Sequence, residues 1–300
     1  MKILIVGGTG MIGGHTAVYL ESLGHAVTLA ARKPAAAGTP MAGFATLLGD
    51  YTLGEFTESD LAPFDAIVFA AGNDTRHLPR NSDEVEFWDR TQVRSVPAFI
   101  EMARRAGVGR VVHIGSYYHQ LRPDLIETDP YVRGRHLADV NTRALAAPGF
   151  NVSTLNPPSI VGAVPGLVSA RYRTLVEWAS GRRPDLPLTA PPGGTNYMSV
   201  RSLAEAIWGA LQHAEPGRAY LVGDENLSYL QFFQIIFDVV GSTLSLEVRD
   251  EEHPLLPDRF IVQGRGNTLA FEPDAAEAAL LGYRRHDVLR AIEDVASLVG

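Results

Sequence analysis

The segment Ile3-Leu4-Ile5-Val6 is an unbroken apolar run, as expected of a strand covered on both faces in a parallel sheet. Glycines follow at 7, 10 and 13, with Gly8 and Gly14 beside them. "HTAVYLESLGH" then places Ala17, Leu20 and Leu23 on one side at helical spacing, and Gly24 ends the run. "AVTLAA" reads as a second strand. "FATLLGD" (44–50), "FDAIVFAAG" (64–72) and Arg110 to Ile114 read as the third, fourth and fifth. The helix before the fifth strand contains Pro97, which should start or kink it. Strands alternating with helices through short turns predict an α/β fold with a doubly wound parallel sheet.

After about residue 162 the alternation fades. "SARYRTLVEWASGRR" (169–183) has helical spacing, with Leu175, Val176 and Trp178 apolar and arginines at 171, 173, 182 and 183. A proline-rich loop, a strand–turn–helix in "NYMSVRSLAEAIWGALQHA", a strand in "RAYLVGD" and a helix in "SYLQFFQIIFDVVG" follow. The expected division is a nucleotide-binding domain over 1–162 and a smaller substrate-binding lobe over 163–300, some of whose segments pack back on the sheet. A small-molecule substrate should lie between the two. Tyr117, Tyr118, Trp178, Tyr197 and Met198 are candidates for its wall. The four arginines read first as a solvated helix face and second as partners of an anionic substrate.

Composition narrows the classes. The chain has 300 residues, 46% of them apolar and 20% charged, which is ordinary for a soluble globular protein. A net charge of −8 gives no basic stripe for nucleic acid. The absence of cysteine removes disulfides and thiolate chemistry together and fits the cytoplasm. No apolar run is long enough for a membrane span, and the N-terminal one is too short for an export signal. The nine histidines show no ligand spacing, so no metal is expected.

Strand, glycine turn, helix and strand within about 30 residues form a dinucleotide-binding unit, and the sheet is therefore of Rossmann type. Gly7, Gly10 and Gly13 allow a tight turn, close backbone approach to a pyrophosphate and close packing of helix on strand. Met11 and Ile12, among these glycines, are further candidates for cofactor contact, ahead of a helix whose free N–H groups favour phosphate. The second strand ends in Ala30-Ala31-Arg32-Lys33. Two cations and no carboxylate favour a ribose 2′-phosphate, hence NADP(H), with NAD(H) left open. Asp50, next to Tyr51, is placed to reach adenine. Ala70, Ala71 and Gly72 leave room for a ligand at a strand end.

By Ser116 and Tyr131 the chain resembles the extended short-chain dehydrogenases/reductases, the broad NAD(P)-dependent epimerase/dehydratase/reductase group. "GGTGMIGG", "GD" at 49–50, "AAG" at 70–72, "RVVHIGS" ending at Ser116, Tyr131, "NPPSIVG" (156–162) and "FEPDAAEAALLGY" occur in that group's order. The resemblance implies cofactor contacts from the glycine motif and from Pro157 and Ile160 beside the nicotinamide. It implies catalysis by Ser116 and Tyr131, and dimerisation through two helices in many members. The group's motif is Tyr-x-x-x-Lys, whereas this chain has Tyr131 and Arg135, then Asp139. Asp129 reads as an N-cap and Pro130 as the first helical residue, which puts Tyr131, Arg135 and Asp139 on one face. Arginine retains the charge but not the compact ammonium. Two further departures are Gln92, where the group has Asn, and Ser202, where it has Asp. The leading expectation is an NADP(H)-dependent oxidoreductase acting on a small carbonyl or alcohol. The alternatives are an NAD(P)-dependent epimerase or dehydratase, and a nucleotide-binding regulator that has lost catalysis.

Overall fold

The computed structural model describes residues 1–79 and 81–300. The first half runs β1 (Lys2–Val6), α1 (Met11–Ser22), β2 (Ala26–Ala31), β3 (Thr46–Leu48), α2 (Glu58–Leu61), β4 (Ala66–Phe69), α3 (Glu84–Trp88), α4 (Ser95–Arg105) and β5 (Arg110–Ile114). Next come α5 (Tyr118–Leu121), α6 (Leu125–Thr128), α7 (Pro130–Arg143), β6 (Asn151–Asn156) and β7 (Ser159–Val161). The remainder is α8 (Ala170–Ala179), β8 (Thr189–Ala190), β9 (Gly194–Ser199), α9 (Val200–His213), β10 (Ala219–Leu221), β11 (Glu225–Ser228), α10 (Tyr229–Val239), β12 (Glu247–Val248), β13 (Thr268–Leu269), α11 (Ala275–Leu281) and α12 (Val288–Val299).

Seven strands form one parallel sheet in the order β10-β6-β5-β4-β1-β2-β3. Strand alternation divides β1 between two cores. Ile3 and Ile5 meet Ala17, Leu20, Leu203 and Ile207 on the α1/α9 side. Leu4 and Val6 meet Val96, Phe99 and Ile100 of α4 on the other. Both faces are covered, so the strands read as apolar runs rather than alternating ones. The chain leaves β1 in one direction for β2 and β3 and in the other for β4, β5 and β6. Ligands bind at such a switch point, above the carboxyl ends of the strands. The Gly7 turn and Ala70-Ala71-Gly72 both lie there.

Pro97 stands in the first turn of α4, and a π-helical turn over Asp89–Arg94 joins α3 to it. Proline lacks an N–H and crowds the carbonyl four residues back. A wider turn at that point relieves the crowding without ending the helix. The second half builds a sheet of β11-β9-β13 with β7 on β9, and a core of Trp178, Phe232, Phe233, Phe237, Val288 and Ile292. It also supplies α9 and β10 to the parallel sheet.

Candidate active site

A cleft of about 770 Å³ runs along the carboxyl ends of the strands, from Arg32 and Asp50 past the glycine turn to Ser116 and Tyr131. Its first half fits a dinucleotide. Gly7 has φ +83°, and a Cβ there would lie 2.8 Å from the backbone nitrogen of Ala71. A Cβ on Gly13 would lie 2.4 Å from the Gly7 carbonyl oxygen. Gly10 caps α1 without a side-chain hydrogen bond, so the first N–H groups of α1 are free for an anion. Met11, Ile12, Ala70, Ala71 and Gly72 all line the cleft. So does Arg32 at its rim, whereas Lys33 does not, and only one of the basic pair is placed to meet a ligand. Asp50 lines the cleft, with Oδ1 held by the N–H of Thr52 at 2.8 Å. The Tyr51 hydroxyl lies 3.2 Å from the Ala71 carbonyl and 3.1 Å from that of Thr91. Burial pushes this phenol well above its ordinary range, so it serves as a neutral strut.

The other half is built on α7. Asp129 caps it, accepting from the Val132 N–H at 3.0 Å, and Pro130 occupies the first turn. Tyr131 packs beside Trp88 and Tyr118, with ring centroids at 5.0 and 6.2 Å. One turn later Arg135 is only 5% exposed. Its Nη2 donates to the carbonyl of Ile114 at 2.9 Å and also to that of Gly115. Nη1 donates to Gln92 Oε1 at 3.3 Å. Gln92 is fully buried, and its Nε2 donates to the Asn73 carbonyl at 3.3 Å. A Cβ on Gly72 would lie 2.8 Å from Arg135 Nη1. A Cβ on Gly134 would lie 3.0 Å from Trp88 Cβ, so that glycine brings helix to helix rather than helix to ligand.

A surface pairing of Arg135 with Asp139 is therefore excluded. Asp139 is 1% exposed and binds His119 Nε2 at 3.1 Å and Arg143 Nε at 2.7 Å. Burial alone would raise this carboxyl, but the hydrogen bonds from His119 and Arg143 outweigh it and hold the group well below the usual carboxylate range.

Ser116 follows β5, and its N–H donates to Asn156 Oδ1 at 2.9 Å. Asn156 in turn donates to Gln120 at 3.0 Å. The serine, Tyr117, Tyr118, Tyr131, Arg135, Pro157 and Ile160 share the cleft wall. Tyr117 meets Thr195 Oγ1 at 2.6 Å. Burial raises the Tyr117 and Tyr118 phenols above their ordinary value. Two expected wall residues lie elsewhere. Trp178 packs against Phe233 and Phe237 at 5.2 and 4.7 Å in the lobe core. Met198 is fully buried on the α9 side of the sheet. Both are the apolar positions of their elements, and apolarity marks the core side. Tyr197 lines a small side chamber and stacks on Phe232 at 4.2 Å. Asn156, Ser159, Tyr172 and Phe260 line or support the cleft. Asn156 and Ser159 belong to "NPPSIVG", of which the resemblance singled out only Pro157 and Ile160. Tyr172 and Phe260 come from segments with no motif, so spacing could not reveal them.

The sequence model of the NAD dependent epimerase/dehydratase family matches residues 3–223. The chain belongs to that family. This family member is an NAD(P)-dependent enzyme of the extended short-chain dehydrogenase/reductase type. Sterol demethylase protein B of Methylococcus capsulatus is 27% identical over 175 residues, 54% of this chain and 52% of the relative. The match thus spans about half the length of that curated protein. UDP-galactose 4-epimerase shares the fold with a TM-score of 0.72 and 20% identity, over 100% of each chain. UDP-N-acetylglucosamine 4-epimerase from Bacillus cereus gives 0.75 and 14%, over 100% of this chain and 99% of that one. MoeE5 in complex with UDP-glucuronic acid and NAD gives 0.75 and 18%, over 99% and 98%. At these identities the likeness carries the fold alone.

Among the described residues, Asp224, Glu225 and His286 have ligand-type atoms within 4.8 Å of one another. The Asp224 oxygens, however, accept from Arg285 Nε and from the backbone N–H groups of His286 and Asp287. This arrangement caps the start of α12. No helix among the described residues is long and apolar enough to cross a membrane.

Proposed function

We propose that this enzyme carries out epimerase- or dehydratase-type chemistry that begins by oxidising a secondary alcohol carbon of its substrate. The observation that carries the reading is the meeting of Ser116, Tyr131 and a buried Arg135 on one wall of the cleft that also contains the glycine turn. The turn, the start of α1 and Arg32 hold the dinucleotide. When bound, the dinucleotide supplies a nicotinamide carbon that takes a hydride and gives it back. Ser116 donates a hydrogen bond to the substrate oxygen and fixes it where charge develops. Tyr131 removes the proton from that oxygen as the carbon is oxidised, and returns it on reduction. The fixed charge of Arg135 stabilises negative charge on the phenol during the transfer. The Tyr117 and Tyr118 phenols, kept neutral by burial, hold water away from the reacting carbon.

Arg32 favours a second reading, the reduction of a carbonyl at the expense of NADPH, since no carboxylate stands at the end of β2 to repel a 2′-phosphate. Two measurements separate the readings. Mass spectrometry of nucleotide released from the purified protein tests for a retained dinucleotide, as internal turnover expects. Absorbance at 340 nm with candidate alcohols and carbonyls tests for net consumption, as a reductase expects. Tyr131→Phe abolishes turnover in either case while cofactor binding persists. Calorimetry of Arg32→Ala is expected to show NADP(H) affinity reduced about tenfold with NAD(H) unchanged, equivalent to about 1.4 kcal/mol. Equal losses for both cofactors would remove the 2′-phosphate role.

A further inference from the structure

A side chamber of about 70 Å³ opens next to the substrate end of the cleft. Tyr118, Ser159, Ile160, Arg171, Tyr172 and Phe260 line both spaces. A cavity needs about 10–15 Å³ of such space to hold one water, so the chamber has room for a group of several heavy atoms. Two of its lining residues have unmet polar atoms. Arg171 Nε is buried without a hydrogen-bond partner, and no ion pair involves this guanidinium among the described residues. Gln263 is 6% exposed. Its Nε2 donates to the Gly194 carbonyl at 3.1 Å and to the Tyr229 hydroxyl at 2.8 Å, but its Oε1 has no donor. The amide orientation follows from these bonds, because the Gly194 carbonyl requires a donor.

Among the described residues, Arg171 is the one formally charged residue lining the chamber, and no acid lines it. Burial keeps the Tyr197 and Tyr229 phenols neutral despite the nearby Arg171 charge. The other arginines of this segment differ: Arg173 and Arg182 are exposed, and Arg183 pairs with Asp185 at 2.7 Å. A guanidinium half-withdrawn from water with no acid beside it is costly until an anion arrives. A neighbouring unmet amide oxygen requires a proton donor as well. A hydrocarbon group satisfies neither residue, and a plain alcohol leaves the charge unpaired.

We propose that the chamber receives a carboxylate of the substrate with a hydroxyl beside it, the carboxylate on Arg171 and the hydroxyl donating to Gln263 Oε1. The substrate class is then a hydroxy acid, and Arg171 and Gln263 determine specificity. The inference rests on the reading of the cleft as a substrate site but can fail independently of it. The test uses the full chain with NAD⁺ present and three small probes: glycolate, acetate and ethane-1,2-diol. Ligand-observed NMR measures each Kd, and a crystal structure of the glycolate complex locates the probe. Glycolate is expected to bind tightest, with the diol at least about tenfold weaker. Arg171→Met should weaken glycolate by a similar factor, and Gln263→Met should remove its advantage over acetate. If Gln263→Met does not fold, Arg171→Met carries the test. Diol binding as tight as glycolate, glycolate located elsewhere, indifference to Arg171→Met, or no binding of any probe would each overturn the proposal. Glycolate binding without turnover of any hydroxy acid would instead count against the proposed reaction and leave the chamber standing.

Discussion

Arginine at 135 is longer than the lysine it replaces, and two other residues absorb the difference. Gly72 leaves the space that Nη1 occupies, and Gln92, one methylene longer than asparagine, reaches that nitrogen with its oxygen. The three residues form one unit, so reverting one of them disrupts it. Arg135→Lys cannot serve the Ile114 and Gly115 carbonyls and Gln92 together, and the unmet buried acceptors cost about 1–3 kcal/mol. Urea titration is expected to show that loss, with no gain in turnover. Turnover raised by Arg135→Lys alone would show that the guanidinium is a defect. The spacing of Tyr131 and Arg135 is legible in the sequence because a helix period is legible. The partners of Arg135 are not, since backbone carbonyls and a missing side chain leave no pattern.

Helix α7 carries both Tyr131 and Arg135, and a buried cluster holds it in place. Asp139 ties it to His119, one residue after Tyr118, and through Arg143 to the Gly217 carbonyl at 2.9 Å. Asp139→Ala leaves Arg143 and His119 without their anion. The expected cost is about 3–5 kcal/mol, read as a lower urea midpoint. Because the folded carboxyl lies below its ordinary value, its contribution is complete above about pH 3.9 and is lost as pH falls below that. For α8, the apolar face Leu175-Val176-Trp178 was legible as a helix side, but that side packs into the lobe core. The face that meets the cleft carries Arg171 and Tyr172. Periodicity identifies which side of a helix is apolar; it does not say which polar residue faces a ligand.

Across the whole molecule, acid sensitivity begins at the histidines. His113 is 1% exposed, near the carboxyl end of β5. Burial, with Arg135 adding, pushes it down to about 3. A folded value below the unfolded one means that stability is complete above about pH 6.5 and falls as pH drops toward about 3. Each pH unit in that window costs up to about 1.4 kcal/mol. The melting temperature should therefore decline from pH 6.5 downward, and His113→Asn should flatten that slope. A slope unchanged in the variant would place the titrating group elsewhere. The parallel sheet was legible because apolar runs and glycine turns repeat along the first half. In the second half α8, β9, α9, β10 and α10 were legible as well, but β8, β12 and β13 were not, because they have two residues each, too few for any period to emerge.

Strand β10 pairs with β6 across a gap of more than sixty residues in sequence, and α9 reaches back across a longer stretch of chain to cover β1 and β5. During synthesis, a ribosome that has released residues 1–162 has made a nucleotide turn but not a finished sheet. Its edge at β6 is still open, and one apolar face is covered by α1 without α9. Until residues 200–221 emerge, that nascent half is a substrate for chaperones and for its own copies.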